Sequence, residues 1–193
     1  MVDNELIEKK LMVSTQKGDL ETMKHLKDAG YELHKELNKE AFFNASMKGH
    51  MHIMKWLKDN DNGCEYSEYT LNGAVHYGNL DDMKWLFDNG CKFTKYTFCT
   101  AAVNGNLDNM KWLLDNECPF CDRTFESAAE NGNLDNMKWL LEKGCPFSDR
   151  TLYYAYKNSN LDTMKELLDN GCSLDSMPLD YPVNIVNIKC STI

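Results

Sequence analysis

The sequence predicts an all-α fold, a helical solenoid of about six repeats with shortened inter-repeat loops. Three observations carry that prediction. First, one phrase recurs along the chain: GDLETMKHLKDA from Gly18, GHMHIMKWLKDN from Gly49, GNLDDMKWLFDN from Gly78, GNLDNMKWLLDN from Gly105, GNLDNMKWLLEK from Gly132 and SNLDTMKELLDN from Ser159. Second, the methionines of that phrase, Met23, Met54, Met83, Met110, Met137 and Met164, lie 31, 29, 27, 27 and 27 residues apart, a period typical of stacked supersecondary units. Third, apolar residues inside each unit recur at the three- and four-residue spacing of a helix face. The repeats run over residues 3–33, 34–66, 67–93, 94–120, 121–147 and 148–174, with 175–193 as a degenerate cap or tail.

The second helix of each repeat is the easier to derive. Asp19, Asn79, Asn106, Asn133 and Asn160 stand where a side-chain oxygen can accept a free backbone N–H at a helix start. An acid follows two residues later at Glu21, Asp81, Asp108, Asp135 and Asp162, next to the positive end of the helix dipole. The buried face is then Leu107, Met110, Leu113 and Leu114 in the fourth repeat and Leu134, Met137, Leu140 and Leu141 in the fifth. Gly30, Gly63, Gly90, Gly144 and Gly171 follow these helices, where a left-handed residue closes the last turn. Glu117 takes that place in the fourth repeat, so its helix end is expected to be strained or differently closed.

The first helix carries Leu11, Phe42, Leu71, Phe98, Phe125 and Leu152 in one slot, and Ser14, Ala45, Ala74, Ala101, Ala128 and Ala155 three residues on. A small residue at a fixed slot lets neighbouring helices approach closely. Ser67, Thr94 and Ser148 are the expected N-caps, with Cys121 in their place in the fifth repeat. About three residues join the two helices of a repeat, and a short loop such as Cys145-Pro146-Phe147-Ser148 leads to the next.

These residues resemble the ankyrin repeat. The motif is carried by Thr124-Phe125, Ala128-Ala129, Gly132-Asn133-Leu134-Asp135, Met137-Lys138-Trp139-Leu140-Leu141 and Gly144-Cys145. The resemblance covers roughly residues 3–180. The family's repeat is usually about 33 residues; the deficit here lies in the inter-repeat loop, where the family forms a β-hairpin finger. The fingers are therefore expected to be mostly missing. The stretch from Gly30 to Phe42 is four residues longer than its counterpart from Gly144 to Leu152 and is expected to keep a rudimentary finger. The Met-Lys-Trp-Leu and Gly-Cys-Pro-Phe wording is similar to the shortened ankyrin repeats of giant DNA viruses of amoebae and of some protists.

Composition narrows the partners. With 42% apolar and 26% charged residues and four prolines, the chain is globular. A net charge of −9 argues against nucleic acid, which needs clustered Lys and Arg, and against anionic membrane surfaces. No apolar run exceeds five residues, too short to span a bilayer. The start MVDNELIEKK has no apolar stretch of signal-peptide length, so the cytoplasm is the expected compartment and a monomer the expected state.

Several regular features are read as structure. Trp56, Trp85, Trp112 and Trp139 fill one slot of the inner repeats, with His25 and Glu166 in the outer ones; the reading is inter-repeat packing rather than a ladder for stacking a ligand. The column Lys24, Lys55, Lys84, Lys111, Lys138 and Lys165 has an acid three residues before five of its members, the spacing of helix-surface pairs. Cys64, Cys91, Cys118, Cys145 and Cys172 recur every 27 residues in the family's alanine slot, read as small buried residues with neighbours too far apart for disulfides. Cys118-Pro119-Phe120-Cys121 spells a CxxC pair, which leaves a thiol redox or metal-dependent role as the alternative function. A structural spacer is a further one. His25, His34, His50, His52 and His76 lie in the first half, and His50 and His52, two apart on a helix, are expected to point in different directions. No catalytic, cofactor or metal site is expected.

The expected function is non-catalytic binding of an unidentified protein partner, as an adaptor. The resemblance implies that partners meet the concave face built from the first helices. There the two residues before each repeat's glycine vary while the core slots do not: Met47 and Lys48, His76 and Tyr77, Val103 and Asn104, Glu130 and Asn131, Lys157 and Asn158. The start of the first helix varies too, with Tyr69, Tyr96, Arg123 and Arg150, residue types favoured as interface anchors. In the tail, Leu179 keeps the repeat phase, Pro182 breaks it, and the apolar Val183–Ile188 is read as a cap over the last repeat.

Overall fold

The computed structural model describes residues 4–31, 34–60, 66–67, 69–77, 79–158 and 160–173. Among them are twelve helices and no strand. They alternate as first and second helices of six pairs: α1 (Asn4–Lys17) with α2 (Leu20–Asp28), α3 (Lys35–Ser46) with α4 (Met51–Asp59), α5 (Thr70–Tyr77) with α6 (Leu80–Asp88), α7 (Thr97–Asn104) with α8 (Leu107–Asp115), α9 (Thr124–Asn131) with α10 (Leu134–Glu142), and α11 (Asp149–Lys157) with α12 (Leu161–Asp169). The chain forms two compact units, Met1–Thr97 and Phe98–Ile193. In the first, α1, α3 and α5 pack in succession and each holds its own second helix. In the second, α9 packs on α11 and α10 on α12.

The core slots are filled as the periodicity requires. Leu11, Phe42, Leu71, Phe98, Phe125 and Leu152 are all buried, as are the six methionines of the repeated phrase. Ala45, Ala74, Ala101, Ala128 and Ala155 are buried beside them. At Gly73, one residue before Ala74, an added Cβ would stand 2.5 Å from the Ser46 carbonyl oxygen, so α5 lies closely against the end of α3. The outer side of α1 leaves Leu6 and Val13 exposed.

The second-helix starts follow their sequence. The Asp19 carboxylate accepts from the Thr22 N–H at 3.0 Å. Asn79, Asn106 and Asn133 each accept from the N–H two residues on at 3.0 Å and three on at 3.2 Å. His50 holds the same position without a side-chain cap bond. The ends agree too: the Cys91, Cys145 and Cys172 N–H groups reach back to the Leu86, Leu140 and Leu167 carbonyls across left-handed Gly90, Gly144 and Gly171. At Glu117 the chain keeps that closure, with Cys118 N–H to Leu113 O at 2.9 Å, and adopts φ 62 without a glycine. The end is strained, not differently closed. Gly63 lies outside the described residues.

Two expectations change. The extra residues after Gly30 do not make a finger: Lys35–Ser46 is helix, twelve residues against eight in α5, α7 and α9. Leu37 in the added stretch is buried, and helix formers around it extend α3 toward its start. The N-cap reading of the first helices also shifts. Ser148 caps α11, but Ser67, Thr94 and Cys121 stand three residues before α5, α7 and α9 begin. There the buried threonine at each helix start bonds back: Thr97 Oγ1 accepts the Thr94 N–H at 2.8 Å and Thr124 Oγ1 the Cys121 N–H at 2.9 Å. The tail readings at Leu179, Pro182 and Val183–Ile188 fall outside the described residues.

Candidate functional site

The invariant columns resolve into packing between repeats. The tryptophans are half-buried along the second helices. Lys27 and Lys55 place their ammonium groups 5.8 Å from the ring centres of Trp56 and Trp85, each in the following repeat. In the last repeat, where Glu166 replaces the tryptophan, Lys138 reaches its carboxylate at 3.6 Å. Lys55 and Lys138 of the lysine column therefore meet the tryptophan slot of the next repeat, Lys27 from outside the column does so at the first junction, and the expected pairing within a helix is made at Glu21–Lys24, 2.8 Å. The ring quadrupole attracts a nearby cation, and Lys55 on Trp85 shows the two columns meeting in this way.

The described cysteines divide into two kinds; Cys64 of the 27-residue series lies outside the described residues. Cys91, Cys118, Cys145 and Cys172 are buried in the repeated slot. Burial pushes the Cys118 and Cys145 thiols up to about 12, so both stay protonated at neutral pH. The CxxC pair does not act together: Cys121 is joined to Cys99 in α7, Cα–Cα 6.5 Å, and Cys118 points into the core. Sequence reasoning missed this pairing, because Cys99 stands outside both the 27-residue series and the CxxC. His50 and His52 do not diverge as expected. Both rings turn back to the first repeat, His50 Nε2 to the Gln16 carbonyl at 3.1 Å and His52 Nε2 to the Gly18 carbonyl at 3.0 Å. Among the described residues no three His, Cys, Asp or Glu side chains are grouped as for a metal ion.

The variable positions lie at the surface. In the first unit Met47, Lys48, His76, Tyr77, Tyr69 and Tyr96 are exposed. Tyr69 and Tyr96 come together on one cleft of about 460 Å³, with Tyr66, Lys92, Phe93 and Lys95 also on its wall. Met47 caps the end of α3 and Tyr77 ends α5. Tyr77 lies so close over Gly49 that a Cβ there would meet its ring at 2.9 Å. In the second unit Val103, Glu130, Asn131, Lys157, Arg123 and Arg150 are exposed and Asn104 is half-buried.

Not all of these side chains are available. Asn131 donates to the Val103 carbonyl at 3.0 Å, and Asn158 donates to that of Glu130, so the residue before Gly132, and its counterpart before Ser159, also ties one repeat to the previous one. Arg123 lies 3.5 Å from the buried Glu126 carboxylate, which also accepts from Ser148 at 3.2 Å. Tyr153, exposed on α11, was not singled out from sequence; its slot holds the buried Cys99 and Glu126 in the two preceding repeats and gave no signal.

A family model described as ankyrin repeats (three copies) matches residues 11–97, 74–150 and 98–178. A comparison with curated proteins gave no match.

Proposed function

We propose, for a chain that belongs to the ankyrin-repeat family, that it is an adaptor holding one protein partner on the variable ends of its first helices. The repeats are a protein–protein interaction module; the adaptor role and the face are our reading. The observation that carries it is a contrast within the chain. The core slots repeat almost unchanged and are buried, whereas the slots that hold Met47 and Tyr77 vary along the chain and the first-helix start changes from Tyr69 and Tyr96 to Arg123 and Arg150; among these, Met47, Tyr69, Tyr77, Tyr96 and Val103 are large, apolar or aromatic, and exposed. Packing between repeats does not require large apolar or aromatic side chains at these exposed positions. Helix ends fixed by packing present such side chains with little ordering cost on association, and that favours affinity. The net charge of −9 supports a protein over nucleic acid as the partner. Among the described residues no helix is long and apolar enough to cross a membrane. The cytoplasm, a monomeric state and, for a viral chain, a host target belong to the same proposal.

The test is an affinity capture from eukaryotic lysate, read by mass spectrometry. Wild type is run beside a variant with Met47→Glu, Tyr69→Ala and Val103→Glu, its fold checked by circular dichroism. A partner held by wild type and lost by the folded variant supports the proposal. Identical lists from both proteins refute the assignment of the face.

A further inference from the structure

Three junctions between repeats are tied at the same pair of positions, 22 residues apart. The first tying residue directly follows the buried Leu71, Phe98 or Phe125 on the first helix, and the second precedes the next first helix. In the first unit Asn72 Nδ2 donates to Thr94 Oγ1 at 3.0 Å, and Thr97 Oγ1 donates to Asn72 Oδ1 at 2.7 Å. In the second unit Ser148 Oγ donates to Glu126 Oε1 at 3.2 Å. Cys99 and Cys121 occupy these positions at the junction of α7 with α9, joined through their sulfurs. Two junctions use hydrogen bonds, and this one uses a covalent bond.

We propose that Cys99 and Cys121 are a reversible thiol–disulfide site, whose co-reactant is a small disulfide such as oxidised glutathione and whose oxidation locks the start of the fifth repeat onto α7. The geometry accommodates both states. The Cα atoms are 6.5 Å apart, within the reach of an S–S bond. The turn before α9 is held without the disulfide, by Cys121 N–H to Thr124 Oγ1 at 2.9 Å and Thr124 N–H to the Cys121 carbonyl at 3.0 Å. The Thr124 hydroxyl lies 3.8 Å from the Cys99 sulfur and 3.6 Å from that of Cys121, so both sulfurs retain a polar neighbour once reduced.

The exchange balances. The Cys121 thiolate, on the more exposed of the two residues, attacks one sulfur of glutathione disulfide and expels a glutathione thiolate. The Cys99 thiolate then attacks the Cys121 sulfur of the mixed disulfide and expels the second. Two protein thiols give up two protons and two electrons; one glutathione disulfide takes them up as two glutathiones. Cys118, although three residues from Cys121, is set apart from Cys99 by deeper burial, 1% against 9% exposed, and it is Cys99 that the fold brings to Cys121.

The experiment uses the full chain in glutathione buffers from fully reduced to fully oxidised, quenched with N-ethylmaleimide. Peptide mass spectrometry maps the cross-link, and hydrogen exchange follows α7 and α9. The expected result is a monomeric Cys99–Cys121 cross-link that forms and reverses with the buffer. With it, exchange at this junction slows about tenfold or more. A stable glutathione adduct, a Cys118–Cys121 bond, no cross-link, or a cross-link that leaves exchange unchanged each overturns the proposal. The mapping is done on wild type, so it stands even if Cys99→Ser with Cys121→Ser does not fold.

Discussion

Replacing Glu117 by glycine should stabilise the protein, and replacing Gly144 by alanine should destabilise it, through one backbone torsion. The two residues close equivalent helix ends, α8 and α10, with the same reach-back hydrogen bonds, 2.9 Å from Cys118 to Leu113 and 2.9 Å from Cys145 to Leu140. Both are left-handed, φ 62 at Glu117 and φ 72 at Gly144. A Cβ added at Gly144 would meet nothing within 4 Å, so the substitution tests the torsion and not a clash. The left-handed conformation costs an L-residue about 1–2 kcal/mol. Glycine loses about 0.5–1 kcal/mol more than alanine in backbone entropy on folding. The difference leaves Glu117→Gly about 0.5–1 kcal/mol more stable than wild type and Gly144→Ala less stable by a similar amount. For a chain of this size that is a shift of roughly 1–4 °C in Tm, in opposite directions. Urea unfolding followed by circular dichroism, with midpoints compared at equal slope, resolves the pair. A Glu117→Gly protein less stable than wild type, or a Gly144→Ala protein as stable as wild type, would refute the reasoning.

Other outcomes follow from the packing and the buried thiols. Gly73→Ala should destabilise although alanine is the better helix former by about 1 kcal/mol, because its Cβ would stand 2.5 Å from the Ser46 carbonyl and the backbones must shift; a net loss of about 1–2 kcal/mol is expected in urea unfolding. Met137→Ala empties a fully buried slot and should cost about 2–5 kcal/mol by the same assay. Removing the Asn133 cap, which serves two N–H groups at 3.0 and 3.2 Å, by Asn133→Ala should cost about 1 kcal/mol. Burial raises Cys118 and Cys145 from 9.0 to about 12, so the folded state holds their protons where the unfolded state has lost them. Their contribution to stability is whole below about pH 9 and declines as pH rises toward 12. Thermal melts across that range, compared with Cys118→Ala and Cys145→Ala, check the sign; a steeper alkaline loss in the variants contradicts it.

The sequence by itself determined what is local or periodic. The positions of the twelve helices, the buried Leu, Phe and Met slots, the asparagine caps and the left-handed closures are each written within a few residues. Helix periodicity, capping and glycine torsions act over that distance. Even the strain at Glu117 was readable, because five repeats showed a glycine where this one has none. The variable exposed positions were readable for the same reason, since a repeat supplies its own comparison. What only the tertiary structure decided is which side chains meet across a junction. The lysine column suggested pairs within a helix, yet Lys55 and Lys138 face Trp85 and Glu166 of the next repeat. The CxxC spelling suggested Cys118 with Cys121, yet the turn before α9 sends Cys118 into the core and brings Cys121 to Cys99. The longer first connection suggested a finger, yet Leu37 is buried and the added residues extend α3. For the lysines and the cysteines the deciding distance runs between residues about 20–30 positions apart, set by how one helix pair packs on the next, and no local pattern encodes it.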